Sequence, residues 1–326
     1  MQTEFAKPVE ALRQALAASA GSRSAFHDNA SNCDVYRLFD GREEGAPGWV
    51  IDRYGPAALV HCFRPEGAQD PEVDQIARWL EAELGPGMAL YLKVLHSSIA
   101  GQRSGRQLSG APTQPIEGDL IAARQGRLLV NERGLRFAVD LCHGHNTGLF
   151  VDARAMRGWV RDNSAGRRIL NLFAYTCGFG VAALRGGAQS VDNVDEVATA
   201  LERGRANYLL NGLTTDPRSF VRSDVFRFLK KAGKAGRRWG GIIVDPPPVP
   251  TRGGGRGFVP RRDQQQLMRL VQDCLAPGAW LLAMSAAPGT EAFEDCLPVL
   301  PGSQLATEAD IPEQPRRGLR ARVLYP

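Results

Sequence analysis

Three groups of residues in this chain have the types and spacing for chemistry. The first is Gly178-Phe179-Gly180-Val181-Ala182-Ala183, which directly follows the run Ile169-Leu170-Asn171-Leu172-Phe173-Ala174-Tyr175-Thr176-Cys177. An apolar run, two glycines and then small apolar residues at helical spacing read as strand, tight turn and helix. Such a turn lets backbone approach a ligand and points helix N–H groups at it. The second group is Asp195 and Glu196, at the end of the next apolar stretch, 190–194. A glycine turn followed by an acid one strand later is a nucleoside-binding βαβ layout, the carboxylate suited to ribose hydroxyls. The third is Asp245-Pro246-Pro247-Pro248, directly after Gly241-Ile242-Ile243-Val244. Proline fixes φ and has no N–H, so this is a stiff rim at the carboxyl end of a strand.

Gly178-x-Gly180-x-x-Ala183 also fits a dinucleotide fingerprint, so a nicotinamide cofactor stays open at this point, as does a strand–helix corner with no ligand. The Asp-Pro-Pro rim favours holding a flat base edge beside a reacting methyl group over hydride transfer. His143 and His145 stand two apart in a glycine-marked connector with no third ligand nearby, so no metal is expected.

The elements that must position these groups follow from periodicity. A helix is expected at 8–20, then strands at 35–39, 48–55 and 57–63, a helix at Asp70–Leu84, and strands at 90–95, 120–123, 128–132 and 135–139. These make a small α+β domain, 34–141, with an antiparallel sheet, preceded by a helix and linker, 1–33. A helix at 152–162 opens the last domain, 142–326. There strands at 169–173, 190–194, 219–222, 241–244 and 280–284 alternate with helices at 179–184, 196–211, 225–232 and 262–275, which implies a parallel, doubly wound sheet. A helix at 291–297 and strands at 304–309 and 319–324 complete it.

With 326 residues, 43% of them hydrophobic, the chain can bury a large core. No apolar run is long enough to span a membrane, and the first twenty residues carry Glu4 and Glu10 rather than a signal core. Six scattered cysteines without a CxxC pair suit a reduced, cytoplasmic protein. The net charge is +5. Between Arg218 and Arg262 stand twelve Lys and Arg residues and two acids, Asp224 and Asp245. That run fits a phosphate backbone, and equally a solvated helix face with a glycine-arginine loop.

The chain resembles the class I S-adenosylmethionine-dependent methyltransferases, and more narrowly the large-subunit ribosomal RNA cytosine-C5 methyltransferases and their bacterial relatives. The resemblance runs from Asp34 to the C-terminus. It rests on Tyr36-Arg37-Leu38, Pro47 to Gly55, Thr147 to Arg154, Asn171 to Gly178, Asn193-Val194-Asp195 and Asp245-Pro246-Pro247. It implies S-adenosylmethionine as cofactor, held by Asn171, Phe173, Ala174, Tyr175, Thr176, Cys177 and Gly178 around the methionine part. Asp195, with Glu196 beside it, would take the ribose and Asp224 the adenine amino group; Phe150, Asp152 and Arg154 would close over the cofactor. Asp245, Pro246 and Pro247 would line the transfer site. RNA, ribosomal above all, is the implied acceptor, met by the basic 218–262 region. A homodimer stays open, and so do a catalytically impaired relative that only binds cofactor or RNA and a NAD-dependent oxidoreductase.

Three features depart from the family pattern. Residues 1–33 are too few for the RNA-binding PUA domain with which active members often begin. Where C5 enzymes place the cysteine that attacks the base, this chain reads Ser285-Ala286-Ala287-Pro288. The aromatic residue that usually follows Asp-Pro-Pro is replaced by Pro248-Val249-Pro250, which leaves Phe258 as a candidate stacking ring. Cys177 in the turn is expected to touch the cofactor rather than a base.

Overall fold

The computed structural model describes residues 2–20, 32–65, 67–68, 70–95, 105–110, 127–144, 146–248, 258–286, 295–298, 300–307 and 319–325. They form two compact units, the first running to Val151 and the second beginning at Asp152.

The first unit opens with α1 (Gln2–Ser19). Helix α1 starts well before Pro8, which sits in its second turn at the loss of one helical backbone bond. Then come β1 (Val35–Asp40), β2 (Trp49–Tyr54), β3 (Ala57–Cys62), α2 (Asp70–Leu84), β4 (Ala89–Val94) and β5 (Arg106–Ser109), the five strands forming one sheet in that order. Leu12 and Leu16 of α1 share a core with Phe39, Trp49, Ile76 and Trp79. The sheet is mixed rather than antiparallel as expected, because β3 and β4 pair in parallel through the α2 crossover. Ala57 to Val60 are buried on both faces, as a parallel strand requires. The hairpin β6 (Arg127–Glu132) and β7 (Leu135–Asp140) stands as a separate two-stranded sheet. Its turn residues Arg133 and Gly134 both have positive φ, 51° and 81°, which matches the twist of the strands. The strand expected at 120–123 lies outside the described residues.

A 3-10 turn, Val151–Ala153, leads into the second unit. Its elements are α3 (Arg154–Asn163), β8 (Arg168–Leu172), α4 (Gly178–Arg185), β9 (Ser190–Asp195), α5 (Ala198–Leu210), β10 (Phe220–Arg222), α6 (Val225–Lys234), β11 (Trp239–Val244), α7 (Pro260–Gln272), β12 (Leu275–Ser285), β13 (Gly302–Leu305) and β14 (Arg320–Leu324). The sheet order is β10-β9-β8-β11-β12-β14-β13, with β14 antiparallel to both its neighbours and the other pairs parallel. Side chains alternate between two cores. Leu170, Leu172, Ile242, Val244, Leu281 and Ala283 face α6 and α7. Ile169, Ile243, Trp280, Leu282 and Met284 face α3 and α4. The sheet is therefore doubly wound, as the alternating pattern predicts.

Boundaries differ where side chains intervene. Helix α5 begins at Ala198 rather than at Glu196, because the Asp195 carboxylate accepts the N–H of Val197 at 2.9 Å and holds the chain out of the helix. Helix α7 starts on Pro260, whose fixed φ suits a first turn. Strand β12 begins at Leu275, earlier than expected. Of the helix expected at 291–297, residues 291–294 lie outside the described set and 295–297 form a turn instead. Among the described residues no helix is long and apolar enough to cross a membrane.

Candidate functional site

The strand order reverses between β8 and β11: from β8 the chain moves outward through β9 and β10, then returns to lay β11 on the other side. In open α/β sheets the crevice at this reversal, outside the carboxyl ends of the strands, is where ligands bind. Phe173 to Gly178 leave β8 there, Asp195 ends β9, Asp224 follows β10, and Asp245 leaves β11. The registers Val244↔Leu172, Leu172↔Val194 and Arg222↔Asp195 bring these four points to one edge of adjacent strands.

The turn after β8 is built on side chains that ordinarily avoid its geometry. Phe173, Tyr175 and Cys177 have φ of 56°, 47° and 59°, each costing on the order of 1 kcal/mol or more. The glycines, by contrast, begin helix α4. What holds the strained residues is a close set of bonds. Ala174 N–H donates to Val194 O (3.0 Å) and Cys177 N–H to Ala174 O (2.7 Å). Tyr175 N–H donates to Asp195 Oδ2 (2.8 Å), and Asn207 Nδ2 donates to the Thr176 carbonyl (2.9 Å). Below the turn, Asn171 Nδ2 donates to Asn193 Oδ1 (2.9 Å), and Asn193 Nδ2 to Tyr208 Oη (2.7 Å) and the Ser219 carbonyl (3.2 Å). Asn171, Asn193, Asn207 and Tyr208 are all buried. Gly180 is a packing glycine: a Cβ there would lie 2.4 Å from Asn193 Oδ1 and 2.5 Å from Tyr208 Oη. Gly204 plays the same part beneath Cys177, whose Sγ would be 2.4 Å from an added Cβ.

That packing fixes the place of Cys177. Its thiol is fully buried against Gly204, and burial pushes it well above the ordinary thiol range.

Asp195 is partly buried, and burial raises its carboxyl above the usual range against the backbone N–H groups of Val197, Tyr175 and Glu196. An ionised carboxylate offers about four acceptor sites, so these three donors leave it capacity for a ligand hydroxyl. Glu196 is half-buried and Asp224 exposed. Asp224 caps α6, its Oδ1 accepting from Arg227 N–H at 2.8 Å.

Asp245 is the most perturbed carboxyl at this edge. Burial and the nearby negative charge of Asp152 push it up to about 7, while Arg157 pulls the other way. Pro246 beside it is buried, Pro247 half-buried and Pro248 exposed. Arg154 and Arg157 on α3 are both buried, though Arg157 carried no signal in the sequence beyond its type. Phe150, which belongs to the first unit, is 44% exposed. Phe258 is not an open stacking platform as expected: it is buried in the sheet core, edge-on to Phe173 at 5.3 Å and stacked on Phe226. His145 lies outside the described residues, and His143 Nδ1 is bonded to Asp140 Oδ1 at 3.0 Å. Among the described residues no group of three His, Cys, Asp or Glu could hold a metal.

On the basic run, Arg222, Arg227, Lys230, Lys231, Lys234 and Arg238 are exposed on and around α6. Arg218, Arg237 and Arg262 pair with Asp216, Asp192 and Asp263 at 2.8, 3.0 and 2.7 Å. Arg252 and Arg256 lie outside the described residues.

Comparison with known proteins agrees with this geometry. Residues 121–295 match the family model described as S-adenosylmethionine-dependent methyltransferase. The chain is 33% identical over 259 residues to ribosomal RNA large subunit methyltransferase I of Aeromonas salmonicida, covering 77% of this chain and 61% of that protein. It is 34% identical to the protein of the same name from Klebsiella pneumoniae, covering 78% and 60%. The chain thus spans about three fifths of the length of these curated relatives. Among solved structures, a methyltransferase complexed with SAH superposes with a TM-score of 0.81 at 23% identity, over 98% of this chain and 82% of that one. A protein of Streptococcus mutans described as SAM-dependent gives 0.80 at 22%, over 98% and 81%; both show the likeness of fold. With the model matching more than half of its length, the chain belongs to the S-adenosylmethionine-dependent methyltransferase family.

Proposed function

We propose that this protein transfers a methyl group from S-adenosylmethionine to a base of RNA, ribosomal RNA foremost. The observation that carries the reading is the gathering of the 173–178 turn, Asp195, Asp224 and Asp245 at the carboxyl edge where the strand order reverses. In this reading the backbone of Phe173, Ala174, Tyr175, Thr176, Cys177 and Gly178 wraps the methionine part, and Asn171 supports it through Asn193. Asp195, with Glu196 beside it, takes the ribose hydroxyls, and Asp224 takes the adenine amino group. Asp152 and Arg154 close over the ligand. S-adenosylmethionine supplies a methyl group already activated on a sulfonium. The protein's task is to align it with an acceptor held along Asp245-Pro246-Pro247, and alignment alone can supply several kcal/mol of the barrier.

RNA as the acceptor is supported by the names of the curated relatives and by the exposed cations of α6, which suit a phosphate backbone. In the same reading the protein works in the cytoplasm, where ribosomal RNA is made available. The test is calorimetric titration with S-adenosylmethionine and, separately, with NAD. Binding of the first in the micromolar range, weakened at least about tenfold by Asp195→Ala, is the expected result. A folded protein that binds NAD instead, or neither, would overturn the reading.

A further inference from the structure

Helices α6 and α7 each follow a strand of the parallel part of the second unit's sheet, so both start at its carboxyl edge and run the same way. They lie side by side along their length. Phe226 stacks on Phe258, just ahead of α7, with ring centroids 6.5 Å apart. At the far end, a Cβ added to Gly233 would stand 4.0 Å from Asp273 Cβ. Inward, Phe228 and Leu229 of α6 and Leu267, Met268 and Val271 of α7 fill one core.

Outward, the two helices repeat one spacing with different chemistry. On α6 the exposed residues Arg227, Lys230, Lys231 and Lys234 fall at i, i+3, i+4 and i+7, a single stripe roughly 10 Å long. On α7 the exposed residues Arg262, Gln265, Gln266 and Arg269 fall at the same intervals, and Gln272 continues the stripe. Arg262 is held by Asp263 at 2.7 Å. Among the described residues the four α6 cations and Arg269 have no carboxylate partner, whereas Arg13, Arg37, Arg127 and Arg205 each pair with an acid. The exposed acids of this face stand at its ends: Asp224 caps the start of α6, and Asp273 ends α7. A row of unneutralised cations thus lies beside a row of neutral carboxamides.

The first row suits phosphates. The second suits a group that both donates and accepts, because a carboxamide carries two N–H donors and an acceptor oxygen. A ribose 2′-hydroxyl is such a group, and it sits on the sugar that the phosphates link. DNA lacks it. An acidic protein surface presents acceptors only and would leave the glutamine oxygens unmatched.

We propose, on the reading given above that RNA is the substrate, that the outer face of α6 and α7 docks an RNA backbone. Phosphates lie on the α6 cations and on Arg269, and 2′-hydroxyls lie on Gln265, Gln266 and Gln272, so this face tells RNA from DNA. The bound strand runs from the carboxyl edge of the sheet, where both helices begin, down the flank of the second unit.

The experiment measures fluorescence anisotropy of a labelled single-stranded fragment of large-subunit ribosomal RNA, and of its 2′-deoxy counterpart, with the full chain and S-adenosylmethionine at several salt concentrations. The parent is expected to bind the RNA about tenfold more tightly than the DNA, the worth of one or two hydrogen bonds. The triple variant Gln265→Ala, Gln266→Ala, Gln272→Ala is expected to bind RNA only as well as DNA, with DNA affinity and the salt slope unchanged. Arg269→Ala is expected to weaken both strands alike and to lower the logarithmic salt slope by about 0.7. Unchanged affinity for S-adenosylmethionine shows each variant to be folded. Equal affinity of the parent for the two strands, or a triple variant that keeps the full preference for RNA, would overturn the inference. If the parent still transfers labelled methyl groups to ribosomal RNA, the reading of RNA as substrate survives that failure. A parent that binds S-adenosylmethionine but neither binds nor methylates RNA would overturn both.

Discussion

A carboxyl group held near pH 7 stores a cost that the folded protein carries at alkaline pH. Asp245 is raised from the ordinary carboxylate range to about 7 in the folded state, chiefly by burial and then by Asp152. The folded state therefore holds its proton more tightly than the unfolded chain. The stability that this contributes is fully present below about pH 4 and is lost as pH rises through about 7. Asn has nearly the same shape and cannot ionise. Asp245→Asn should accordingly raise Tm relative to the parent more at pH 8 than at pH 5, as thermal unfolding at the two values would show. A difference in Tm independent of pH would mean that the carboxyl is not buried in ionised form. Cys177 makes a second case at this scale. Gly204→Ala places a methyl group 2.4 Å from its Sγ, an overpacking expected to cost about 1–3 kcal/mol. Adding Cys177→Ala should recover part of that stability, since the two substitutions meet at one point. Denaturant unfolding of the two single variants and the double variant measures it.

At the scale of elements, the turn after β8 depends on what lies under it. The buried row Asn171, Asn193, Tyr208 ties β8, β9 and α5 together. Tyr208→Phe takes one of two acceptors from Asn193 Nδ2 and leaves the Ser219 carbonyl. The expected cost is about 1–3 kcal/mol of stability, together with weaker S-adenosylmethionine binding, because the strained residues 173–177 lose support. Equal affinity in parent and variant would show the row to be structural only. Much of this layer was legible from the chain itself. Long apolar runs bounded by glycine and proline located β8, β9 and β11, and Asp195 and Asp245 fell at strand ends because those runs stop there. The left-handed conformations of Phe173, Tyr175 and Cys177 were not legible: nothing local favours them, and contacts from β9 and α5 impose them. Strand β5 is not legible in the sequence for a related reason, since Arg106-Gln107-Leu108-Ser109 has little apolar pattern and joins the sheet through backbone bonds to β4. The parallel pairing of β3 with β4 is likewise a long-range choice that alternation along either strand does not express.

For the molecule as a whole, charge is unevenly distributed. The net +5 is modest, yet Arg227, Lys230, Lys231 and Lys234 all stand exposed on one helix. Replacing Lys230, Lys231 and Lys234 with Ala should weaken binding to ribosomal RNA transcripts at low salt and make it less dependent on salt. The logarithmic salt slope should fall by about 0.7–0.9 for each phosphate that the variant no longer neutralises. S-adenosylmethionine affinity should not change. An unchanged salt slope would move the RNA contact elsewhere.

The position of β14 has a consequence for how such a chain comes to exist. Arg320–Leu324, the last described strand, lies between β12 and β13, both of which precede it. During synthesis, β12 emerges with one side open, and β13 has no neighbour until residue 324 has left the ribosome. The sheet of the second unit stays incomplete on that side until β14 has been made. A chain interrupted anywhere before that strand would display the unpaired backbone of β12, an edge open to other nascent chains.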